Sequence, residues 1–314
     1  MSKEKDFSVV VPVYNSAGSL KELYTRLSNV FKTLNSTWEL VLVNDCSKDN
    51  SMEVIKGLVN SNTNVIGINL MNNFGQHNAT ICGLKFSNGK LIITMDDDLQ
   101  HPPEEIPKLI DLIKKRELSV VYAQFKKREY AGFRNLFSNL INKLIGKIIN
   151  MDYSITQFKI MQKNVVEKLV DFKQYHVMID VLIRDIVDKS QISFCLVEHH
   201  KRKFGESNYS LKKLVSYALN MIFNFTTLPL KIAIWVGFFF SFVSFIIGVF
   251  LVLYYLIQGV SVSGWTSLII SLMFFSGLIL FVLGVIGEYL GKIFLNINHK
   301  PQYVIKEEIR AEDK

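Results

Sequence analysis

Short apolar runs alternate with helical periodicity through the first 123 residues. FSVVVPV (7–13), WELVLVN (38–44), NVIGINL (64–70), LIITMD (91–96) and SVVYA (119–123) have the length and β-branched content of strands. The segments near 18–34, 50–60, 75–87 and 104–117 between them carry apolar residues at helical spacing. Strands without a polar face are buried on both sides, so the pattern predicts an α/β fold with a mainly parallel sheet covered by helices. In such a sheet, ligands bind beyond the carboxyl ends of the strands. Three predicted strands end there in polar clusters: Tyr14 and Asn15, Asn44 and Asp45, and Asp96 to Asp98.

The pattern changes after Ala123. KKREYAGFR (126–134) is basic, and Phe133, Leu136, Phe137, Leu140, Ile141, Leu144, Ile145 and Ile148 then follow at helical spacing, with Arg134 and Ser138 together on the polar edge. Such a helix, over about 133–149, either lies on a bilayer or packs as an ordinary amphipathic helix. A second one, over 211–231, shows Leu211, Leu214, Val215, Ala218, Leu219, Ile222 and Phe225 inward and Lys212 and Lys213 outward. ISFCLVEHH (192–200) between them reads as one more strand, its two histidines pointing to opposite faces and so making no metal pair.

From Ile232 to Gly287, 56 consecutive residues carry no Asp, Glu, Lys or Arg, more than twice the roughly 20 needed to span a bilayer. QGVSVSG (258–264) is the polar break, so two crossings are expected, 232–257 and 265–287, followed by a tail over 288–314. Both flanks of a hairpin face one compartment. Lys201, Arg202, Lys203, Lys212, Lys213, Lys231, Lys292 and Lys300 flank it and the connecting loop is uncharged, which places residues 1–210 and both termini in the cytoplasm.

Composition fits this picture. Mean hydropathy is +0.22 with 20% charged residues, high for a purely soluble chain. The net charge of +8 could serve nucleic acid, but beside a membrane hairpin the economical partner is an anionic lipid surface. Cys46, Cys82 and Cys195 form no paired motif and suit a reducing compartment. The first residues, MSKEKDFSVVVPVYN, run straight into a strand pattern and not into a signal peptide.

The densest chemistry is LIITMDDDLQHPP (91–103). Carboxylates at a strand tip either present hard oxygen ligands to a divalent cation that holds phosphate, or start the next helix, which Pro102 and Pro103 also suit. The convergence of three polar strand tips favours the metal. No G-x-G-x-x-G or G-x-x-x-x-G-K-[ST] occurs, so a cation must do the work of a phosphate cradle. Asp45, at a strand tip, can accept from a nucleobase N–H. Ser47, Asp49 and Asn50 make either further contacts or an ordinary turn and cap. Asn72, Asn73, Gly75, Gln76 and His77 form a polar loop that suits ligand contact or a plain turn. In HKRKFGESNYS (200–210), Arg202 can meet phosphate bidentately and Ser207 can add a donor, unless the loop is simply solvated.

VPVYN (11–15), VNDCSKD (43–49), NFGQHNA (73–79), MDDDLQHPPEEIPKL (95–109), KRKFGESNYS (201–210), TTLPLK (226–231) and GEYLGKIF (287–294) together resemble glycosyltransferase family 2, in its membrane-anchored polyprenyl-phosphate branch. The resemblance spans about residues 7–305. It implies a GT-A fold, Rossmann-like, and transfer of a sugar from a nucleotide-diphosphate donor to a polyprenyl phosphate at the bacterial inner membrane, for cell-envelope glycans. It also implies Mg²⁺ or Mn²⁺ on Asp96 and Asp98 with Gln100 nearby. Pro12, Tyr14, Asn15 and Asp45 would line the nucleotide site, and Arg134, Ser138 and Arg202 would contact acceptor or donor phosphate. Three positions depart from the family pattern: Ser16 stands where an acidic residue is frequent, Phe125 where many relatives have Arg, and TQFK (156–159) where GDFR is usual, leaving Gln157 at a position for a catalytic base. Asp97 stands where a small residue is usual and is left out of the metal set. A processive polysaccharide synthase would share the donor site but should carry more membrane helices and a Q-x-x-R-W motif. A non-enzymatic scaffold should have lost its metal ligands, and a homo-oligomer could form through the membrane segments.

Overall fold

Val9, Val10, Val11 and Val13 are all fully buried, which requires cover on both faces of the first strand. A computed structural model describes residues 5–125, 156–173, 178–198, 228–258, 264–297 and 301–311. In chain order the elements are β1 (Lys5–Val13), α1 (Leu20–Thr33), β2 (Trp38–Asn44), α2 (Ser51–Ser61), β3 (Val65–Leu70), α3 (Gln76–Lys85), β4 (Gly89–Thr94), α4 (Ile106–Lys115) and β5 (Val120–Phe125). After these come β6 (Lys159–Gln162), α5 (Lys163–Asp171), α6 (Ile179–Ile186), β7 (Ile192–Val197), α7 (Leu228–Gln258), α8 (Trp265–Ile297) and β8 (Ile305–Arg310).

The sheet has the order β7-β5-β6-β4-β1-β2-β3-β8. The pairs of β1 with β2 and β4, β2 with β3, and β5 with β7 are parallel, whereas β6 and β8 run antiparallel to their neighbours. One core holds Val9, Val11 and Val13 against α1, α2 and α4; the other holds Val10, Val41 and Val43 against α3, α5 and α6. Alternate residues of one strand thus feed two cores. The chain moves outward from β1 through β2 to β3 and then returns to place β4 on the other side of β1. This reversal puts a switch point, and the crevice that accompanies one, between the tips of β1 and β4.

Pro12 stands where the two tips part. The β1–β4 pairing stops at Val10 and Thr94, closed by the Met95 N–H to Val10 carbonyl bond, while β1 stays paired with β2 through Val13 and Asn44. Proline has no N–H with which to continue the ladder, so the two tips part just below the acidic loop.

The described residues form two units, the sheet with its helices and the pair α7–α8. In the second unit, Pro229–Ile247 and Phe274–Gly291 are long and apolar enough to cross a membrane. Trp235, Phe238, Phe245 and Phe281 each expose more than half of their surface, an arrangement that suits lipid and not water.

Two differences from the sequence pattern stand out. The second long helix does not stop at 287 but runs to Ile297, since Glu288, Tyr289, Leu290 and Lys292 are compatible with helix once clear of the apolar stretch. The expected tail then ends in β8, which pairs with β3, and Met71 N–H donates to Val304 carbonyl at 2.8 Å. The interfacial helix expected over 133–149, the amphipathic segment from 211 to 227 and the loop 200–210 lie outside the described residues, and with them Arg134, Ser138, Arg202 and Ser207.

Candidate active site

Each loop beyond β1, β2, β3 and β4 contains a residue with left-handed backbone: Asn15 at φ 55°, Cys46 at 57°, Gly75 at 86° and Leu99 at 61°. Three of these are not glycine, and such conformations persist only where surrounding bonds impose them. The bonds are present. Asn15 N–H donates to Ser47 Oγ at 3.0 Å, and Lys48 N–H to Asn15 Oδ1 at 2.7 Å. Ala17 N–H donates to Asp49 Oδ2 at 3.0 Å, while Asp49 Oδ1 receives the Ser51 N–H and hydroxyl. Ser47 and Asp49 therefore build the turn that ties the β1 and β2 loops. Burial works against ionisation of Asp49, but the bonds from Ser51 and Ala17 outweigh it and hold the carboxyl below its usual range.

Asp45 is buried. Its two oxygens accept from Phe74 N–H at 2.7 Å and Gly75 N–H at 2.9 Å, so it also fixes the loop before α3. Burial raises its pKa against the lowering effect of those two bonds. Beside it, Asn44 Nδ2 donates to Asn69 Oδ1 at 2.9 Å, joining the β2 and β3 tips. Pro12 is buried and Tyr14 is 45% exposed at the crevice edge.

The three aspartates diverge. Asp96 Oδ1 accepts from Gln76 Nε2 at 2.5 Å, so the loop before α3 reaches the acidic cluster. Asp98 is buried, and its Oδ1 accepts from Gln100 N–H at 3.0 Å. Asp97 turns back toward β1, where its Oδ2 accepts from Tyr14 N–H at 3.1 Å. Burial pushes the Asp97 carboxyl up to about 6, against hydrogen bonds from the Ser16 hydroxyl and Tyr14 N–H, and the charges of Asp96 and Asp98 push it further the same way.

Asp96 and Asp98 with the Gln100 side chain are a set of hard oxygen donors, the kind that suits Mg²⁺ or Mn²⁺. Among the described residues no group of three or more His, Cys, Asp or Glu side chains is arranged to enclose a metal. The donor set fits a cation that is completed by ligand oxygens and water. It also fits the accumulated negative charge that Asp97 registers.

His101 is a contributor that the sequence left without a role, and Gln76 one that it offered as part of a polar loop suited to ligand contact or a plain turn. Gln76 was legible only as one amide in a polar loop. His101 accepts from Asp96 N–H through Nδ1 at 3.3 Å and stacks on Phe158 with ring centroids 5.4 Å apart. Burial brings its pKa down to about 4, so at neutral pH it is an uncharged acceptor and the 3.6 Å approach to Asp96 Oδ2 is no ion pair. Gln157 sits just before β6, where its carbonyl accepts from Thr94 Oγ1 at 2.6 Å, so it occupies the same edge of the sheet as the acidic loop. Behind that edge, fully buried Lys159 is ion-paired with Asp180, which also accepts from Tyr122 hydroxyl at 3.2 Å.

A model of glycosyl transferase family 2 matches residues 8–180. The chain belongs to glycosyltransferase family 2. It is 33% identical over 317 residues to undecaprenyl-phosphate 4-deoxy-4-formamido-L-arabinose transferase of Yersinia enterocolitica, covering 99% of this chain and 95% of that one. It is 32% identical over 320 residues to the glycosyltransferase YkcC of Bacillus subtilis, covering 100% of this chain and 97% of that one. Among solved structures, glucosyl-3-phosphoglycerate synthase of Mycobacterium tuberculosis in complex with Mn²⁺, UDP-glucose and phosphoglyceric acid aligns with a TM-score of 0.53 at 18% identity, over 70% of this chain and 78% of that one. That likeness identifies the fold as GT-A. The family 2 member described here is a glycosyltransferase by descent, with its acidic loop at the switch point of the sheet.

Proposed function

We propose that this glycosyltransferase moves a sugar from a nucleoside-diphosphate donor, UDP being the carrier we favour, to the phosphate of a polyprenyl phosphate. The reaction takes place at the cytoplasmic face of a bacterial inner membrane and inverts the anomeric centre. The observation that carries the reading is the pair Asp96 and Asp98, presented in the crevice between the β1 and β4 tips beside loops held by backbone and amide bonds. The names of the relatives at about one-third identity over nearly the whole chain support the acceptor class.

Asp96 and Asp98 would hold Mg²⁺ or Mn²⁺, with Gln100 contributing. When bound, the cation supplies charge stabilisation to the departing diphosphate. The phosphate oxygen of the acceptor forms the new bond to the anomeric carbon as the carbon–diphosphate oxygen bond breaks. A phosphomonoester has its second pKa near about 6, so the attacking group is already largely dianionic at neutral pH. No strong base is needed, which makes Gln157 compatible with turnover and free to orient sugar or phosphate by its amide. The harder task is to bring two anions together. Arg134, Arg202, Ser138 and Ser207 are the residues we assign to the phosphates, and Pro12, Tyr14, Asn15 and Asp45 to the nucleotide.

Membranes containing the enzyme, polyprenyl phosphate, Mn²⁺ or Mg²⁺ and a panel of labelled nucleotide sugars test this directly. The expected product is an acid-labile sugar-phosphate lipid, and the panel identifies the sugar. Asp98→Ala is expected to abolish its formation. Near-normal turnover of that variant at saturating Mg²⁺ would remove the metal assignment, and equal glycosylation of a water-soluble acceptor would remove the lipid acceptor.

A further inference from the structure

We infer that Asp97 is a positioning residue whose carboxylate straps the loop after β1 to the loop after β4, and that it acts through those bonds and not as a ligand of the cation. The inference rests on the reading of the crevice as a nucleotide-diphosphate site. Asp96 and Asp98 are drawn to Gln76 and to the Gln100 N–H, whereas Asp97 accepts from Tyr14 N–H, with the Ser16 hydroxyl close enough to favour its ionised form. That partner, and the hydroxyl beside it, belong to the β1 loop.

A strap is needed at that place. Pairing of β1 with β4 has already ended at Val10 and Thr94, so no ladder holds the tips together. Each loop also carries a non-glycine residue in left-handed backbone, Asn15 and Leu99, which its surroundings must keep there. Ser16 Oγ donates to the Tyr14 carbonyl at 3.3 Å and so stays within its own loop, which leaves the Tyr14 N–H as the link that joins the two loops. Neither partner requires a negative charge, because an N–H and a hydroxyl are satisfied equally by an amide oxygen. A carboxylate that held the cation would instead lose its charge attraction on conversion to the amide. Ser16 stands close enough to Asp97 to act on its carboxyl, so donor and acceptor can be exchanged between the two positions.

The test compares Asp97→Asn, Asp97→Ala and the transposed pair Ser16→Asp with Asp97→Ser in the full-length protein in detergent. Calorimetry reads UDP binding with Mn²⁺, initial rates read KM and kcat, and hydrogen exchange of the peptide around Tyr14 reads the strap without ligand. Asp97→Ala is expected to speed exchange at Tyr14 and to weaken UDP–Mn²⁺ binding about tenfold, with donor KM rising more than kcat falls. Asp97→Asn is expected to stay within about twofold of the parent, and the transposed pair to recover most of the loss. If Asp97→Asn loses binding as fully as Asp97→Ala, the charge is essential and Asp97 is a ligand. If exchange at Tyr14 is unchanged in Asp97→Ala, there is no strap. Failure of the unaltered protein to bind any nucleoside diphosphate with Mn²⁺ would instead remove the functional reading on which the inference rests, and the inference with it.

Discussion

Asp96, Asp97 and Asp98 share a side chain and differ in where their oxygens find donors. Sequence alone made the acidic loop conspicuous, and with Asp45, Tyr14 and Asn15 it marked the carboxyl edge of the sheet as the candidate site. It could not say that Asp97 faces β1, because the direction of a side chain in an irregular loop depends on the left-handed turn at Leu99 and on a partner 83 residues away. Gln76 was obscure for the same reason: its role exists only once the start of α3 meets the acidic loop beyond β4. The folded pKa of Asp97, raised to about 6 from 3.8, carries a stability consequence. Between those values the native chain binds more protons than the unfolded one, so stability falls as pH rises through that window, and above about 6 the full cost is present. Asp97→Asn is therefore expected to stabilise the metal-free protein at pH 7.5 by at most about 3 kcal/mol, with the gain gone below about pH 4. Urea unfolding at the two pH values measures it. An equal gain at both would trace the effect to packing and not to charge.

At the level of elements, β1 to β5 were readable because each combines an apolar run with a buried position on both faces. β6 and β8 were not. KIMQ is four residues long with a buried lysine that its ion pair with Asp180 makes tolerable, and IKEEIR has charged residues on its exposed positions and so reads as solvated chain. Antiparallel strands supplied from distant segments leave no local signature of their partners. Helix α3 shows how an element sets the site. Gly83 lets it settle on β1 and β2: a Cβ there would lie 2.4 Å from Val10 Cγ1 and 3.0 Å from Val43 Cγ2, both on fully buried side chains. Gly83→Ala is expected to cost about 1–3 kcal/mol and to raise donor KM, because lifting α3 moves Gln76 away from Asp96 and disturbs the loop bonds to Asp45. Gly57, inside α2, has nothing within 4 Å of a new Cβ, and Gly57→Ala should instead stabilise by about 0.5–1 kcal/mol with kinetics unchanged. Thermal melts and donor titrations of the two variants measure the contrast, and matching behaviour would mean that the close seat of α3 is not what sets the site.

On the scale of the whole chain, the return of β8 to the sheet constrains membrane topology more strongly than charge counting does. The sheet that contains β1 to β7 precedes α7, and β8, after α8, pairs with β3 of that same sheet. If α7 and α8 both cross the bilayer, the number of crossings between the two visits to the sheet is even, and both flanks must lie in the compartment that holds the catalytic unit. A hairpin that crossed only once would leave β8 on the wrong side, and Ile66 to Leu70 would lose their antiparallel partner. The lysines near both ends, Lys231 and Lys292, agree with a cytoplasmic assignment by the positive-inside rule. Gly264→Cys, introduced into a chain with Cys46, Cys82 and Cys195 replaced by serine, is then expected to react with a membrane-impermeant maleimide applied outside spheroplasts. Lys306→Cys, on the exposed side of β8, is expected to react only after the membrane is opened. Labelling of Lys306→Cys in intact spheroplasts, or of Gly264→Cys only after permeabilisation, would show that the two long helices do not form a cytoplasm-anchored hairpin. Deleting residues 305–314 separates the two arguments for orientation: the lysine signal remains, so labelling of Gly264→Cys should persist, while the unpaired β3 edge should lower the melting temperature of the catalytic unit.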